Sequence, residues 1–432
     1  MKHELLAPAG GLEAGYAALH YGADAVYLGL SRFSARAGAE NFTPEELDEL
    51  TAYAHSLGRK VFVALNTILS EAEVRELPEI FRTLAQTKVD ALIIQDLGVL
   101  HLAKKLLPEV ELHASTQMAV HNVEGAKFLH RLGFKRVVLA RELTLREIKE
   151  IAAAVPDVDL EVFVHGTLCY SYSGQCLFSA LEYGKSANRG RCAYPCRGEF
   201  VVEEKGGKTD SASRKSHLFS MKDLALEEEV LQIPALSLKI EGRKKSPLYV
   251  AAVTNYYRHI LDGRKKDLHE AEDIKQIFSR PWCRFHFNEK DKDVVDRQFV
   301  GHRGLPVGKV EKAGKNRITV KIAHAVARYD GVQIDVPGSE KPFGFGIKNL
   351  YLKGKPALEA SAGQTVELGL PEEHPYLPVG APVYLASSSA VKGRYAYFRP
   401  KPGAYRNLQP LAVTVEIGAT EVWGLAAGVA VS

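Results

Sequence analysis

The clearest chemical signal in this sequence is the clustering of four of its five cysteines between residues 169 and 196. The four are Cys169, Cys176, Cys192 and Cys196. Thiolates are soft ligands that suit iron–sulfur clusters and zinc. Clustered cysteines in an intracellular chain indicate metal binding or redox chemistry, because disulfides are rare in a reducing compartment. We therefore expect these four side chains to hold one metal centre.

The spacing of the cysteines favours an iron–sulfur cluster over zinc. Six residues separate the first pair and three separate the last pair, whereas zinc knuckles usually have short gaps in both pairs. Nearby tyrosines and arginines would shield a cluster from water and offset thiolate charge; they are Tyr170, Tyr172, Tyr194, Arg189, Arg191 and Arg197. Structural zinc stays the alternative. Cys283 lies apart and is expected to be a small buried apolar residue.

A cysteine nucleophile is a further possibility that the residues leave open. His165 lies four residues before Cys169, and a Cys–His pair within hydrogen-bond reach is the basis of thiol proteolysis. The sequence contains neither an HExxH zinc-protease motif nor a Gly-x-Ser-x-Gly elbow. His113 and His165 are also typical of histidines buried in a barrel.

A strand–helix alternation over the first 265 residues must position these side chains. Eight short runs rich in Val, Ile and Leu predict strands near 4–7, 24–30, 60–66, 91–95, 111–115, 136–140, 160–165 and 235–241. Amphipathic stretches between them predict helices at 11–22, 43–58, 71–88, 97–107, 123–133 and 144–155. This pattern predicts an α/β fold, either a (β/α)8 TIM-like barrel or an open doubly wound sheet. We favour the barrel because the strands number eight and no Gly-rich dinucleotide loop follows the first.

Local signals support several of these boundaries. Thr43, with Pro44 after it and Glu46 at the third helical position, is a helix start. Gly22, Gly58 and Gly133 are placed to end helices in left-handed conformations. The stretch 246–263 predicts the last barrel helix, capped by Ser246 with Pro247 at its first position.

The sequence also predicts an insertion, a linker and a second domain. Residues 167–216 form a Cys-rich insertion in the barrel domain (1–265), and 203–216 within it predicts a surface hairpin or mobile loop. Residues 266–294 predict a charged linker. From 295 to 432, short alternating runs separated by Gly and Pro predict a smaller all-β barrel or sandwich.

In a barrel, functional side chains lie at the carboxyl ends of the strands. For acid–base roles this placement favours His165, Asp223 and Glu241. For substrate binding it favours Gln117, Arg141, Lys222, Lys239 and Arg243. Polar residues at strand ends also arise simply because strands end at water. So many cations above one barrel nevertheless indicate an anionic ligand, either a carboxylate or a phosphate.

Composition narrows the class of protein. The chain has 432 residues, of which 46% are apolar and 25% charged, with a formal net charge of +4. This charge permits nucleic-acid binding without requiring it. No apolar run is long enough to span a membrane and no signal peptide is evident, so the sequence predicts a cytoplasmic protein without membrane contact.

Several motifs resemble those of the peptidase U32 family, the collagenase-like proteases. The resemblance is carried by residues 161–179 around the first two cysteines, and by Glu4–Gly10, Gly22–Tyr27, His113–Gln117, Leu139–Glu142, Asn188–Gly190 and Ser237–Arg243. It covers about residues 1–260 and is weaker beyond, where Gly304–Gly308 still matches. Within the family, Asn66–Leu69, Glu111–Gln117 and Ser186–Gly190 look most like the branch that hydroxylates ribosomal RNA cytidine.

The resemblance implies a specific function and cofactor. It implies a 4Fe–4S cluster on the four cysteines, and C5 hydroxylation of an RNA pyrimidine, with ribosomal RNA cytidine first and transfer RNA uridine second. It also implies prephenate as source of the hydroxyl group, and this dicarboxylate would suit the cations at the barrel mouth. The C-terminal β-domain resembles a small barrel of translation factors and is expected to dock RNA. Two other functions are the alternatives to RNA hydroxylation. One is a peptidase, and the other is a non-catalytic RNA-binding protein that an iron–sulfur cluster or zinc stabilises.

Overall fold

The computed structural model describes residues 2–36, 38–201, 216–264, 267–337, 339 and 341–407, together with three strands between 413 and 431. Of the predicted hairpin or mobile loop at 203–216, only Ser216 belongs to the described residues. No helix in the part of the chain that the structure describes is long and apolar enough to cross a bilayer.

The N-terminal part is a closed parallel barrel. Its sheet contains the strands β1 (Glu4–Pro8), β2 (Ala25–Leu28), β3 (Lys60–Leu65), β4 (Ala91–Ile94), β5 (Glu111–Ala114), β6 (Arg136–Val138), β7 (Asp159–Thr167), β8 (Asp223–Ala225), β9 (Ser237–Ile240) and β10 (Trp282–Cys283). Of these, β8 and β10 are added beside β7 and lie outside the closed ring. Strands β1 to β7 pair in sequence, and β9 pairs in parallel with both β1 and β7. That double pairing closes the sheet, which confirms the barrel and excludes the open doubly wound sheet.

Helices cover the outside of the barrel. The helices of the described residues are α1 (Leu12–His20), α2 (Pro44–Ser56), α3 (Glu71–Val74), α4 (Leu77–Gln86), α5 (Leu97–Leu106), α6 (Val123–Arg131), α7 (Leu145–Ala154), α8 (Phe178–Tyr183), α9 (Pro247–Leu261), α10 (Leu268–Ile277) and α11 (Ser389–Arg394). The Thr43 capping box and the Ser246 cap are confirmed. The predicted helix 71–88 is instead two helices, because Pro78 cannot continue α3 but suits the first turn of α4.

The alternation of side chains along the strands separates two apolar cores. Inward-facing residues such as Leu6, Tyr27 and Phe62 form a small cluster inside the barrel. Outward-facing residues such as Leu5 and Val26 join the helices in the large core around it. Because successive strand residues face opposite sides, the same strands supply both layers.

The segment predicted as a linker packs onto the barrel. It contains α10, which Asp267 caps, and Ala271, Ile274 and Phe285 belong to the barrel's large core. Many charged residues precede and follow these apolar positions in the sequence. Because these charged residues surround the few apolar positions of α10, the apolar face of the helix is hard to recognise in the sequence. The sequence alone therefore predicts a polar linker.

The region after the linker is an antiparallel β structure. Its strands are β11 (Leu305–Ala313), β12 (Arg317–Lys321), β13 (Val326–Ala327), β14 (Gly331–Ile334), β15 (Phe343–Gly346), β16 (Leu350–Leu352), β17 (Lys355–Ala357), β18 (Glu359–Ala360), β19 (Thr365–Gly369), β20 (Pro382–Ser387), β21 (Val413–Ile417), β22 (Val422–Ala426) and β23 (Val429–Val431). Eight of them form one curled sheet in the order β15-β14-β20-β11-β12-β19-β16-β17 around its own apolar core. The all-β character is confirmed.

After this sheet the chain returns to the barrel. Tyr395 is buried in the barrel's large core, where its hydroxyl donates to Asp273 of α10 at 2.9 Å. Further along, the side chain of Asn407 donates to Asp48 of α2 at 2.9 Å. These contacts hold residues 395–407 against the outer helices.

Candidate anion and thiol site at the barrel mouth

A cavity opens at the carboxyl ends of the barrel strands. Its empty volume is about 430 Å³. The side chains around it are Tyr27, Ala35, Arg36, Ala64, Asn66, Ile93, Ser115, Thr116, Gln117, Arg141, Phe163, Lys239, Glu241 and Arg243. Four predicted binding residues, Gln117, Arg141, Lys239 and Arg243, and the predicted catalytic Glu241 are thus brought together at one cavity.

Positive charge exceeds negative charge in this cavity. Glu241 has one carboxylate oxygen 3.4 Å from Arg36 and the other 3.8 Å from Arg141. Lys239 is compensated from behind, since its ammonium donates to Glu161 at 2.7 Å. Three arginines, including Arg243, therefore face one carboxylate, and the cavity keeps an excess of two positive charges. Such a site suits a ligand with two negative charges.

Glu241 stays ionised at neutral pH. Burial alone would raise the pKa of its carboxyl group, but the charges of Arg36, Arg141 and Arg243 outweigh burial and lower the pKa below its ordinary value. A carboxylate with a lowered pKa is a weak base. In this geometry Glu241 keeps the guanidinium groups of Arg36 and Arg141 close together at the cavity.

Arg243 offers a hydrogen-bond donor that no atom of the described residues satisfies. One of its terminal nitrogens donates to Ser34 at 2.6 Å, while the other, Nη1, is buried without a partner among the described residues. A Cβ at Gly29 would lie 2.0 Å from that same Nη1. Only glycine leaves room for the guanidinium here, and a buried unpaired donor in a cavity indicates a site for a ligand acceptor.

Aromatic faces hold two of the other cations. The Arg141 guanidinium lies 4.2 Å from the centre of the Phe163 ring and donates to the Thr167 carbonyl at 3.3 Å. The Lys239 ammonium lies 4.2 Å from the centre of the Tyr27 ring. Cation–π contacts of this kind fix the charged groups without consuming all of their donors.

A buried ionic network supports Lys239 from below. Glu161 accepts from Lys239 and also from Arg136, at 3.2 Å, and Arg136 donates in turn to Glu4 at 2.6 Å. Burial by itself would raise the pKa of Glu161. The charges of Lys239 and Arg136 outweigh this effect, so the pKa is lower than its ordinary value. The network therefore keeps the carboxylate charged and Lys239 fixed inside the barrel.

The Cys-rich insertion lies against the mouth of the barrel. Asn188 connects the insertion to the loop after β3, because the Ile68 amide donates to the Asn188 carbonyl at 3.1 Å. The side-chain amide of Asn188 also donates to the Gly174 carbonyl, within the insertion, at 2.9 Å. The backbone at Gly174 is left-handed, and a Cβ there would lie 2.1 Å from the Gln117 carbonyl. Arg197 donates to Met221 and Leu168, which ties the end of the insertion to the barrel.

The four predicted metal ligands lie together in this insertion. Cys169 is exposed, and Cys176, Cys192 and Cys196 are half-buried. Burial raises the pKa of Cys192, and that of Cys196 to about 11, and the charges of the neighbouring thiolates add to both effects. The Tyr194 amide donates to the Cys192 sulfur at 3.4 Å.

The donor set fits a thiolate-bound metal centre, although the side chains are not arranged as a ligand shell. Within the described ranges, no group of three or more His, Cys, Asp or Glu side chains is placed to hold a metal ion. Four thiols whose charges act on one another are nevertheless the donor chemistry of an iron–sulfur or zinc site. The metal assignment of these cysteines stays a prediction.

Three other predicted residues do not line the cavity. His165 is buried beside Tyr257 and Trp282, with its Nδ1 3.2 Å from the Tyr257 hydroxyl. Asp223 lies on β8, which runs antiparallel to β7 and is followed in the sheet by β10, and its carboxylate pairs with Arg280 at 3.0 Å. Lys222 pairs with Asp293 at 2.6 Å. Their predicted roles remain untested, but none of these side chains belongs to the cavity lining.

Sequence reasoning missed Arg36. This residue lies in the loop between β2 and α2, far in sequence from the strand ends that drew attention to the other cations. Its contact with Glu241 raises the pKa of the guanidinium, to which Tyr194 and Cys169 also contribute. Arg36 therefore lies between the cavity and the thiols. The length of its loop, at the functional end of a barrel, was the available signal.

The fold and the site define a (β/α)8-barrel protein with a cation-rich mouth beside a four-thiol insertion. A model of the family described as peptidase family U32 matches residues 10–296. The chain belongs to that family, which confirms the resemblance found in its motifs.

Several relatives of known name are similar to the chain. It is 39% identical over 350 residues to the 23S rRNA 5-hydroxycytidine synthase of Escherichia coli (strain K12), a match that covers 77% of this chain and 52% of that protein. It is 43% identical over 279 residues to tRNA hydroxylation protein P of Helicobacter pylori (strain J99), covering 60% and 64%. A collagenase of Porphyromonas gingivalis is 30% identical over 285 residues, covering 63% and 68%. The chain thus spans roughly half to two thirds of the first two relatives.

Proposed function

We propose that this chain is an RNA-modifying enzyme that hydroxylates carbon 5 of a pyrimidine. Ribosomal RNA cytidine is the first candidate and transfer RNA uridine the second. The observation that carries the proposal is the 39% and 43% identity to relatives named for hydroxylation of ribosomal and transfer RNA. The matched family region, residues 10–296, includes both the cavity and the four cysteines.

The cavity supports a small dicarboxylate as co-substrate. Arg36, Arg141 and Arg243 would bind two carboxylates, because their charge exceeds that of Glu241 by two. The unpaired Nη1 of Arg243 would donate to one of the carboxylate oxygens. Prephenate meets these requirements of charge, and the family resemblance suggests it as the source of the hydroxyl group.

Cys169, Cys176, Cys192 and Cys196 would hold a 4Fe–4S cluster beside this cavity, with zinc as the alternative. Such a cluster, when bound, supplies one-electron transfer. Arg36, which lies between Glu241 and the thiols, would offset part of the thiolate charge. In this proposal the chain's own residues bind and orient the anion.

The target base must leave its stack to reach this site. The cavity lies among the side chains at the carboxyl ends of the barrel strands, and the insertion contacts loops at the same end. A base that is stacked within a helix would therefore not reach the cavity. Enzymes that act on a base take it out of the helix or choose unpaired loops. A splayed pyrimidine in a loop of ribosomal or transfer RNA is therefore the proposed substrate.

The test of the activity compares RNA from a deletion strain with RNA from the parent strain. Mass spectrometry of ribosomal and transfer RNA should show loss of one 5-hydroxypyrimidine in the deletion strain. The wild-type gene and the Cys283→Ala variant should restore it, because Cys283 is buried away from the other four cysteines, whereas Cys192→Ala should not. Unchanged RNA in the deletion strain would refute the proposal.

The test of the metal is chemical analysis after anaerobic purification. About four irons and four sulfides per chain are expected, the content of one 4Fe–4S cluster, and Cys192→Ala should lose them while Cys283→Ala retains them. Stoichiometric zinc without sulfide would establish a structural zinc site instead. If the protein contains no metal, the four cysteines would instead be free thiols that could act in thiol chemistry.

The collagenase relative makes a peptidase the second candidate. The structure offers it little support, since no hydrogen bond joins a histidine to a cysteine in the described part of the chain. His165, the predicted partner, is 2% exposed and enclosed by aromatic rings. Proteolysis that persists in metal-free wild type and disappears in Cys169→Ala would favour the peptidase.

A further inference from the structure

Exposed large apolar side chains are concentrated in the Cys-rich insertion. Seven of the eighteen large apolar side chains that are exposed among the described residues lie between Tyr170 and Val201. Tyr172, Tyr183 and Tyr194 are 67%, 57% and 45% exposed. A concentration of exposed aromatic side chains beside a functional cavity indicates an interaction surface rather than chance exposure.

An arginine-lined cleft lies beside this surface and shares a wall with the cavity. Its empty volume is about 530 Å³, and the loops after β2 and β3 and the insertion surround it. Ser34 lines the cleft, whereas the next two residues, Ala35 and Arg36, line the mouth cavity. One short loop therefore separates the two.

Arg191 is the uncompensated cation of this cleft. Arg189 is neutralised by Glu73, at 2.9 Å, and Arg32 by Glu76. The side chain of Arg191 makes no ion pair or hydrogen bond with any described residue. An exposed guanidinium without a protein acceptor in a cleft is suited to a phosphate group.

Tyr172 and Arg191 lie beside barrel loops that are three strands apart, after β6 and β3, and are joined through Asn188. Tyr172 precedes Ser173, whose amide donates to Glu142 after β6 at 2.9 Å. Arg191 faces the loop after β3, to which Asn188 is bonded. Asn188 also donates to Gly174, two residues after Tyr172. An extended chain that joins Arg191 to Tyr172 would cross the mouth of the cavity.

We infer that this face is the docking site for a single-stranded segment of the substrate RNA. Arg191 binds a backbone phosphate in the cleft, and Tyr172 stacks on a base beside the target nucleotide. This inference rests on the proposed function and adds to it the path of the RNA across the mouth. Cations combined with exposed aromatic rings are the means by which proteins bind unpaired RNA. A peptide would leave Arg191 without a phosphate and the tyrosines without bases.

The test is fluorescence anisotropy with a labelled single-stranded RNA of the target loop, on anaerobically purified protein with its metal content checked in every variant. Tyr172→Ala should weaken binding about fivefold or more, the loss typical of one stacked base. Arg191→Ala should weaken it and lower the slope of log affinity against log salt by about 0.7, the value for one phosphate contact on a single strand. Arg191→Lys should retain the slope.

The controls are an aromatic and a cation on the outer helices. Phe128 on α6 is 50% exposed, and Arg146 on α7 has a side chain that is 83% exposed. Their alanine variants should bind RNA as the wild type does. If RNA binds and neither Tyr172→Ala nor Arg191→Ala changes affinity or salt slope, this inference is overturned and the proposed function stands. If the wild type binds no RNA and the deletion strain keeps all of its modifications, both are overturned.

Discussion

At the scale of single residues, the mouth cavity depends on the close approach of Gly29 to Arg243. A methyl group at residue 29 would lie 2.0 Å from Nη1 of the guanidinium and 2.6 Å from the Ser34 hydroxyl. The Ser34 hydroxyl accepts from the other terminal nitrogen of Arg243, Nη2, at 2.6 Å and so holds the guanidinium in place. The geometry of one cation in the site is therefore fixed by the absence of a side chain on a neighbouring loop.

We predict that Gly29→Ala weakens dicarboxylate binding by about tenfold or more. The displaced Arg243 would lose its position, and a charge-assisted hydrogen bond is worth ~1.5–3 kcal/mol. Isothermal titration calorimetry with prephenate measures the effect. Gly346→Ala is the matched control, because a Cβ there meets no atom within 4 Å. Equal affinities of Gly29→Ala and wild type would show that Arg243 does not bind the anion.

A second residue-scale prediction concerns the pH dependence of stability. Burial lowers the pKa of His165 to about 4, whereas an unfolded histidine titrates near ~6.5. The unfolded chain therefore binds a proton that the native protein excludes, and the free energy of unfolding should fall as pH decreases from about 6.5 to about 4. The contribution of this one residue is roughly 3 kcal/mol.

Chemical denaturation at a series of pH values tests this expectation. His165→Asn should flatten the dependence over that range, although His113, which burial also affects by lowering its pKa, acts in the same direction and stays in place. His101→Asn, at an exposed position on α5, should leave the dependence as in the wild type. An unchanged slope in His165→Asn would mean that His165 is charged in the folded protein.

At the scale of elements, the loop between β2 and α2 carries Arg36 and ends at the capping box of α2. The Glu46 amide donates to the Thr43 hydroxyl at 3.2 Å, and the Thr43 amide donates to the Glu46 carboxylate at 3.0 Å. These two bonds satisfy two amides that the helix itself leaves unpaired. The cap also fixes the point at which the loop ends and α2 begins.

Thr43→Ala should lower the free energy of unfolding by about 1 kcal/mol, the usual cost of losing an N-cap side chain. Urea denaturation measures this loss. Ser388→Ala is the comparison, because Ser388 precedes α11 without a side-chain capping bond, and it should cost only a few tenths of a kcal/mol. A loss in Thr43→Ala no larger than that in Ser388→Ala would show that the box contributes little.

At the scale of the whole molecule, residues that follow the C-terminal sheet pack against the outer helices of the barrel. Tyr395 is 4% exposed, and its ring packs against Tyr21 at 5.8 Å between centres. Its hydroxyl donates to Asp273 of α10. The C-terminal sheet is therefore tied at both ends, through α10 before it and residues 395–407 after it.

Tyr395→Ala should destabilise the protein by ~3–5 kcal/mol, the range for removal of a large buried aromatic side chain. Thermal unfolding followed by circular dichroism detects this change. Tyr376→Ala, whose side chain is 79% exposed on the C-terminal region, should lie within about 0.5 kcal/mol of wild type. Equal melting temperatures for the two variants would show that the return of the chain does not stabilise the barrel.

The sequence by itself determined the local features of this protein. The period of apolar residues predicted the eight barrel strands and most of the helices, and Thr43, Ser246 and the glycines at 22, 58 and 133 marked helix ends that the structure confirms. These features depend on backbone sterics and on hydrogen bonds between neighbours in sequence. They need no knowledge of what packs against them. The same holds for the motifs that indicated the U32 family.

Only the tertiary structure decided which polar residues meet. Strand order alone could not show that Lys239 is neutralised by Glu161, that Asp223 lies on a strand antiparallel to β7, or that Arg36 reaches Glu241 from a loop 205 residues away in sequence. Burial of His165 by aromatic rings and packing of α10 on the barrel depend likewise on contacts between distant segments. The charge balance and the burial of a side chain depend on the residues that surround it in space, and the linear sequence does not specify which residues those are.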